Sequence, residues 1–227
     1  VNPQTGKSDA TPQIAAGGSN VTIDMGIWAP VAVGDKVWYD VNGNGIQEQG
    51  ETPMAGVKVT LYDATTHQPV AVDVNNAPLQ PQTTNANGNY LFTNLPPGNY
   101  YVKFDLATLP QGYKPTLANQ GNDDTADSDV DPTSAESAPT GPLSGGTQNL
   151  DLDMGLFQPA RLGGVVWDDG IKDFADGIKA PNEKGIGGAT VILKNADGVE
   201  VGRTVTDQNG NFLFENLPPG DYWLSFV

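Results

Sequence analysis

Residues 40–51 carry oxygen donors at the spacing that calcium ligation requires. In the sequence DVNGNGIQEQGE, acidic or amide side chains stand at loop positions 1, 3, 5, 9 and 12, with glycine at position 6. Calcium binds six to eight hard oxygen ligands, and glycine at position 6 permits the sharp bend of a twelve-residue calcium loop. The predicted ligands are the side chains of Asp40, Asn42, Asn44, Glu48 and Glu51 and the backbone carbonyl of Ile46.

The segments on either side of this loop indicate what kind of loop it is. VGDKVWYD before it and AGVKVTLYD after it alternate β-branched or aromatic residues with other residues, which predicts strands. An EF-hand has helices at these places, so the loop is not expected to be an EF-hand. The alternative is a hydrated hairpin loop rich in Asn and Gly, but the match at every ligand position favours calcium.

A second acidic segment, NDDTADSDVD, spans residues 122–131. Asp127, Asp129 and Asp131 alternate along it, so in an extended conformation their side chains lie on one side. Like charges at this spacing repel one another unless a cation neutralises them. We predict a second calcium site at these three residues, either separate from the first loop or sharing ligands with it. The alternative is a hydrated acidic loop without an ion.

Three segments of the sequence recur, two of them at an offset of 129 residues and the third at 122. The change in offset places an insertion and a deletion in two loops, as expected of surface loops. The recurring pairs are NVTIDMGIW at 20–28 and NLDLDMGLF at 149–157, VAVGDKVW at 31–38 and ARLGGVVW at 160–167, and TNANGNYLFTNLPPGNY at 84–100 and TDQNGNFLFENLPPGDY at 206–222. The chain is therefore built from copies of one unit.

In the second copy, the loop that corresponds to residues 40–51 is three residues longer. It carries Asp169, Asp173, Asp176 and Glu183, which we predict as ligands of a third calcium ion. Their spacing is irregular, so a loop that binds no metal is an equal alternative.

The repeat divides the chain into one complete unit, residues 30–158, and two partial ones. Residues 1–29 correspond to the C-terminal strand and tail of a preceding repeat, and residues 159–227 to the N-terminal part of a following repeat that lacks its last strand. Two arrangements explain this division. Either the segment belongs to a longer tandem array, or the tail of one molecule completes the front of a neighbour by strand donation.

Short segments of period 2, separated by NG and PPG turns, predict strands at 36–39, 57–62, 89–92, 100–104 and 150–153. No segment has the apolar spacing of a long amphipathic helix. The expected fold class is therefore all-β, with each unit an antiparallel β-sandwich of about seven strands in an Ig-like Greek key.

The composition excludes several classes of function. The chain has 27 acidic and 11 basic residues, a net charge of −16, no cysteine and one histidine, His67. Cysteine nucleophiles, thiolate or histidine-rich zinc sites and disulfides are excluded, and nucleic-acid binding is not expected of so acidic a chain. No apolar run of about 18 residues predicts membrane insertion. The N-terminus lacks a secretion signal, so we expect either a cytosolic protein or an interior piece of a longer exported chain.

The motifs GDKVWYDVNGNGIQEQGE, GVKVTLYD, TNANGNYLFTNLPPGNYYVKF, LPQGY, DSDVDP and NLDLDMGL together resemble the SdrD-type B repeat. That repeat belongs to the collagen-adhesin B-type, prealbumin-like sandwiches of bacterial surface proteins. The resemblance covers residues 30–158 and, through the repeats, the partial units. It implies a non-enzymatic, calcium-binding module of a stalk or adhesin, with residues 40–51 as the family's calcium loop and DSDVDP as its second acidic cluster.

Some members of this family close an isopeptide bond between Lys and Asn with the help of a Glu that follows the motif GxYxLx. Phe104 and Phe226 occupy that position here. Lys36 and Asn149 would otherwise be candidate partners, but they lack the acid that moves the proton. We therefore predict that no isopeptide forms.

Together these features predict a non-enzymatic, extracellular, cell-surface segment that acts as a calcium-stabilised stalk, spacer or filament subunit. The short linkers at Pro30 and Pro159 favour an extended rod with limited bending. The expected partners are calcium and adjacent repeats or neighbouring copies of the same protein. One alternative is an adhesive module that binds a host or matrix protein or glycan, and another is an accessory domain of a secreted enzyme.

Overall fold

The computed structural model describes residues 8–10, 13–21, 23–170 and 177–227. Over these residues the chain forms β-strands and one short 3-10 helix, Leu106–Thr108. The strands are β1 Val31–Tyr39, β2 Thr52–Pro53, β3 Lys58–Asp63, β4 Gln82–Thr83, β5 Asn89–Leu95, β6 Tyr100–Phe104, β7 Lys114–Pro115, β8 Gln148–Asn149, β9 Met154–Phe157, β10 Ala160–Val165, β11 Thr190–Asn195, β12 Glu200–Val205, β13 Asn211–Leu217 and β14 Tyr222–Phe226. The predicted all-β class of β-sandwich units is confirmed. Within the described part of the chain, helix length and apolarity nowhere reach what crossing a bilayer requires.

The first sheet of the complete unit is built on β1. The N-terminal part of β1 pairs antiparallel with β5, with Lys36 opposite Asn89, and parallel with β8. Its C-terminal part pairs antiparallel with β2 and parallel with β9, with Val37 opposite Met154, while β7 pairs with β9. The sequence predicted antiparallel pairing, whereas the first and last strands of the unit run parallel. The long intervening chain supplies the crossover that parallel strands need.

The second sheet, in the order β4–β3–β6, encloses one core with the first sheet. Tyr90 lies in this core, where its ring meets Phe92 and Phe104 edge-on at centroid distances of 6.1 and 5.6 Å. Its hydroxyl donates a hydrogen bond to the carbonyl of Leu152 at 2.6 Å. Edge-on aromatic pairs contribute about 0.5–1.5 kcal/mol beyond burial of their area. The alternating aromatic residues of β5 and β6 thus hold the two sheets together.

The prediction of a strand at 150–153 is wrong, because these residues lie between β8 and β9. The backbone of Asp153 does not continue the sheet there. Its N–H donates to the carboxylate of Asp129 and its carbonyl accepts from the N–H of Asp129, at 2.8 and 2.9 Å. A contact with a distant acidic segment therefore replaces the strand pairing that local alternation suggested.

The following unit repeats this arrangement in part. β10 pairs with β13, and β12, β11 and β14 form a second sheet, around a small core of Val191, Leu193, Phe212 and Phe214. The pairing of β10 with β13 has the same register shift, at its N-terminal end, as the pairing of β1 with β5. Equivalent sequences therefore reproduce equivalent irregularities as well as equivalent strands.

The turn LPPG is fixed in the same way in both units. In the complete unit the hydroxyl of Tyr100 donates to the carbonyl of Pro96 at 2.7 Å. In the following unit Tyr222 donates to Pro218 at the same distance. Because each tyrosine lies four residues after the carbonyl that it binds, the repeated sequence itself determines this local structure.

Candidate metal centre

Asp40 anchors the first acidic loop at the end of β1. Its side chain is fully buried, and its carboxylate accepts hydrogen bonds from the N–H groups of Gly43 and Gly45 at 2.7 and 2.8 Å. The hydroxyl of Thr116 donates to the same carboxylate at 2.6 Å. Short hydrogen bonds to a carboxylate are stronger than neutral ones. They hold Asp40 and the turn after it in one conformation.

The other predicted ligands of this loop lie together. The amides of Asn42 and Asn44 donate to the two oxygens of Glu48 at 2.7 and 2.9 Å. The carboxylate of Glu51 accepts from the N–H groups of Val41 and Glu48, at 2.9 and 3.0 Å. These predicted calcium ligands are thus gathered in one exposed loop, where N–H groups of the loop itself donate hydrogen bonds to the carboxylates.

The loop at residues 40–51 lies beside the second acidic segment. Ile46 forms a β-bridge with Asp127. The N–H of Gln47 donates to Ala126 at 2.6 Å, and the carbonyl of Gly45 accepts from Ser128 at 3.0 Å. Two acidic segments far apart in the sequence are therefore joined along their backbones.

Three carboxyl groups converge at this junction. Oxygens of Asp124, Asp127 and Asp129 all lie within 4.8 Å of one another. Asp127 is 4% exposed and Asp129 is 8% exposed. Oδ1 of Asp127 is buried and has no hydrogen-bond partner. A buried carboxylate oxygen without a partner costs free energy, and a bound cation would supply that partner.

Several acids at and near this group have raised pKa values. Burial raises the pKa of Asp153 to about 8, and the charge of Asp35 adds to the rise. Burial also raises the pKa of Asp129 to about 7 and that of Asp35 to about 6. The pKa of Asp151 is raised by burial and by the charge of Asp124.

These acids repel one another, and all of them except the exposed Asp124 are buried or partly buried. Together we call them the aspartate cluster. Its members are Asp35, Asp124, Asp127, Asp129, Asp151 and Asp153. Such a cluster is stable only when protons or a cation reduce its negative charge. Its donors are all hard carboxylate oxygens, which suit calcium and magnesium rather than softer metals. Asp124, Asp127 and Asp129, whose carboxylate oxygens lie within 4.8 Å of one another, could therefore hold a divalent cation.

The structure separates Asp131 from this cluster. Asp131 is exposed, and its carboxylate accepts hydrogen bonds from the N–H groups of Thr133 and Ser134, both at 2.8 Å. These bonds lower its pKa. Val130 enters the core immediately before it, and the chain then turns, so the alternation seen in the sequence ends at Asp129.

In the third predicted loop, the two predicted ligands that the structure describes, Asp169 and Glu183, bond to different backbone N–H groups. Asp169 accepts a hydrogen bond from Gly177 N at 2.9 Å through Oδ2, while its Oδ1 is buried without a partner. Glu183 accepts from the N–H of Ala180 at 2.7 Å. Asp173 and Asp176 lie outside the described residues.

Sequence reasoning did not identify Asp35, Asp124, Asp151 and Asp153 as site residues. The sequence did carry one signal for three of these residues. Asp151 and Asp153 alternate within the otherwise apolar motif NLDLDMGL, and Asp35 lies inside a strand that is largely buried. Because a charged residue in a buried strand needs a partner, these positions were candidates for ligands.

Comparison with protein families gives two matches to one model. The SdrD B-like domain model matches residues 31–156 and again residues 160–227. These boundaries follow the repeat that is visible in the sequence.

Among curated proteins, the chain is similar to serine-aspartate repeat-containing proteins of staphylococci. It is 39% identical over 199 residues to serine-aspartate repeat-containing protein F of Staphylococcus epidermidis, covering 86% of this chain and 10% of that protein. It is 37% identical over 196 residues to serine-aspartate repeat-containing protein D of Staphylococcus aureus strain Newman, covering 86% of this chain and 13% of that protein. The chain thus spans only a small part of the length of these relatives.

Solved structures that are similar to this chain include two bacterial proteins. The Bacillus anthracis TIE protein has 18% identity and a TM-score of 0.37, with 88% of this chain and 29% of that chain covered. A streptococcal ancillary pilin has 15% identity and a TM-score of 0.36, with 87% of this chain and 53% of that chain covered.

Proposed function

The chain belongs to the SdrD B-like domain family, whose members are non-enzymatic repeats of surface proteins, and we propose that it acts as a calcium-stabilised spacer. The spacer would be part of an extracellular, cell-surface protein. The observation that carries this proposal is the unpartnered, buried Oδ1 of Asp127 at the centre of three converging carboxyl groups. A spacer needs rigid units, and a cation bound there would make this unit rigid.

Two groups of residues would hold calcium. The first is the loop of residues 40–51, with the side chains and backbone carbonyl predicted from the sequence. The second is the aspartate cluster, centred on Asp124, Asp127 and Asp129. Calcium accepts flexible coordination by six to eight oxygens, whereas magnesium demands a nearly ideal octahedron, so a crowded cluster of aspartates favours calcium.

The position of the cluster explains how a cation would stabilise the fold. Asp35 lies on β1, Asp127 and Asp129 lie beside the first loop, and Asp153 immediately precedes β9. A cation bound by these acids would tie the first strand of the unit to its last. A ligand at about 100 times its dissociation constant stabilises a folded state by about 2.7 kcal/mol. Extracellular calcium modules bind with dissociation constants of about 10⁻⁴ to 10⁻³ M, so extracellular calcium would fill the tighter of these sites.

Adjacent repeats or neighbouring copies are the proposed partners, with residues 30–158 as the complete repeat. Met25 and Ile27, in the tail, are exposed, whereas their counterparts Met154 and Leu156 in β9 are fully buried. Among the described residues, β10 pairs with β13 alone, whereas its counterpart β1 also pairs with β8 and β9. The tail therefore has the sequence of a strand that would complete such a sheet. The tail would pair with the first strand of a unit in this way both in a continuing tandem array and in strand donation between two molecules.

The proposal is tested by thermal unfolding of the 227-residue chain, first stripped of metal and then titrated with calcium. Calcium should raise the melting temperature by several degrees. Asp127→Asn should remove most of this rise, whereas Asp131→Asn, which changes an exposed acid outside the cluster, should leave it intact. An identical melting curve with and without calcium would overturn the proposal.

A further inference from the structure

The first acidic loop touches the following unit at one glycine. A Cβ atom placed on Gly43 would lie 2.6 Å from Cδ of Pro219 and 3.5 Å from Cβ of Pro218. The shorter of these distances is below any ordinary contact between carbon atoms. The LPPG turn of the following unit therefore lies directly on the backbone of Gly43, and the contact leaves no room for a side chain there.

Both sides of this contact are held in place within their own units. The N–H of Gly43 donates to the buried carboxylate of Asp40, and the glycine has a φ of 70°, which favours glycine over other residues. On the other side, the carbonyl of Pro218 accepts the hydroxyl of Tyr222 at 2.7 Å. The contact thus joins two preformed surfaces, so it loses little conformational freedom when it forms.

The equivalent turn lies at the preceding junction as well. Pro96, the counterpart of Pro218, lines one cavity together with Trp28 and Pro30, which connect the tail to β1. At the following junction a second cavity lies between Tyr113 and Lys114 of the complete unit and Pro159, Arg161, Glu215 and Asn216 beyond it. Both junctions therefore bring the LPPG segment, or residues next to it, against the connection from the unit before.

We propose that the LPPG turn of each repeat docks on the preceding repeat, at the glycine that follows Asn42 in its first acidic loop. This contact fixes the angle between neighbouring repeats. The inference rests on the proposed function in one respect, since it takes residues 30–158 and 159–227 as neighbouring repeats of a spacer. It does not require that the loop bind calcium.

An added methyl group tests the contact. Gly43→Ala places a Cβ atom 2.6 Å from Cδ of Pro219, so it should push the turn away and broaden the distance distribution between spin labels on Thr65→Cys and Asp197→Cys. The labels attach only at these two positions, because the chain has no cysteine of its own. The matched control is Gly50→Ala. Gly50 belongs to the same loop and also has a positive φ, of 104°, but a Cβ atom there would meet nothing within 4 Å.

A broader distribution in Gly43→Ala than in Gly50→Ala and the parent supports the proposal. Equal widths in all three, while the circular dichroism of Gly43→Ala matches that of the parent, overturn it. If the Gly43 variant does not fold, the turn is changed instead. Alanine at both Pro218 and Pro219 should broaden the distribution between the same two labels.

The control for this second experiment replaces Pro96 and Pro97 with alanine. The same turn is then altered in the complete unit, at the other junction, so the distribution between the two labels should keep its width. Equal widths in the two double variants and the parent overturn the proposal. The calcium response of the melting temperature is measured on every variant. If the distance distributions contradict the docking contact while calcium still raises the melting temperature, this inference fails and the proposed function stands.

Discussion

Asp129 and Asp153 hold each other through two reciprocal hydrogen bonds. The N–H of Asp129 donates to the carbonyl of Asp153 at 2.9 Å, and the N–H of Asp153 donates to Oδ2 of Asp129 at 2.8 Å. Both residues are buried, and burial raises the pKa of each carboxyl group, to about 7 for Asp129 and about 8 for Asp153. The fold thus places two acids side by side where each carboxyl group remains partly protonated at neutral pH.

Stability of the metal-free protein should depend on pH in a definite direction. Because the pKa values of Asp35, Asp129 and Asp153 are raised on folding, the folded state binds more protons than the unfolded state between about pH 4 and pH 8. Stability should therefore fall as pH rises through this window. We expect the melting temperature of chelator-treated protein to drop by about 4 °C or more between pH 5 and pH 8, since about 1 kcal/mol shifts it by about 4 °C.

Stabilisation by calcium should increase as pH rises, because calcium binds the deprotonated carboxylates. The rise in melting temperature on adding calcium should be larger at pH 8 than at pH 5. Calorimetry at the two pH values measures both effects. A melting temperature of the metal-free protein that stays flat or increases from pH 5 to pH 8 would contradict the aspartate cluster as described.

Replacing one buried acid with its amide separates these two effects. In Asp153→Asn the side chain keeps its shape but carries no charge, so the metal-free protein at pH 8 should melt several degrees higher than the parent. The same change should reduce the rise in melting temperature on adding calcium, because the cluster loses one negative charge. Asp197→Asn, on an exposed turn of the following unit, is the control and should change neither quantity. A lower melting temperature for metal-free Asp153→Asn at pH 8 would show that the charge of Asp153 does not destabilise the folded state.

Asp40 should matter for stability even without calcium. Asn at this position can accept hydrogen bonds through one oxygen only, so some of the donors at Gly43, Gly45 and Thr116 lose their acceptor. A buried donor left unsatisfied costs about 1–3 kcal/mol. Urea unfolding of the chelated protein should show this loss for Asp40→Asn and less than half of it for Asp73→Asn, whose turn is exposed. Equal losses for the two variants would contradict the role given to Asp40.

Two tyrosine hydroxyls should differ in their contribution to stability. Tyr90 is buried and donates to Leu152, whereas Tyr100 is also buried as a residue but its hydroxyl bond to Pro96 is only partly shielded from water. Tyr90→Phe leaves the carbonyl of Leu152 without this donor in the core, so it should cost about 1–3 kcal/mol, and Tyr100→Phe about 1 kcal/mol. The free energy of unfolding in urea ranks the two variants. The reverse order would contradict the position of Tyr90 between the sheets.

Intact mass should equal the mass of the unmodified sequence. Phe104 occupies the position of the acid that isopeptide formation needs, and it lies in the core, 5.6 Å from the ring of Tyr90. The amide of Asn149 donates instead to the carboxylate of Asp151 at 3.1 Å. A mass deficit of one ammonia for the complete unit, mapped to Lys36 and Asn149, would contradict this prediction.

Much of the candidate site could be predicted from local sequence. The loop at residues 40–51 needs only its own spacing to gather Asn42, Asn44, Glu48 and Glu51, because each contact in it spans no more than ten residues. The same holds for the LPPG turns, whose tyrosines lie four residues from the carbonyls that they bind. Alternation and turn residues also predicted the four longest strands of the complete unit, β1, β3, β5 and β6, since these signals act within a few residues.

The rest depended on register between distant segments. The sequence by itself determined the repeat, the all-β class and the acidic loops, because each of these is encoded over a short stretch of chain. Only the tertiary structure decided that Asp35 and Asp153 join Asp127 and Asp129, while Asp131 lies outside. The parallel pairing of β1 with β9 and the backbone contact between the two acidic segments bring these carboxyl groups together. Such pairings are set by how two sheets close over one core, and no local pattern specifies them.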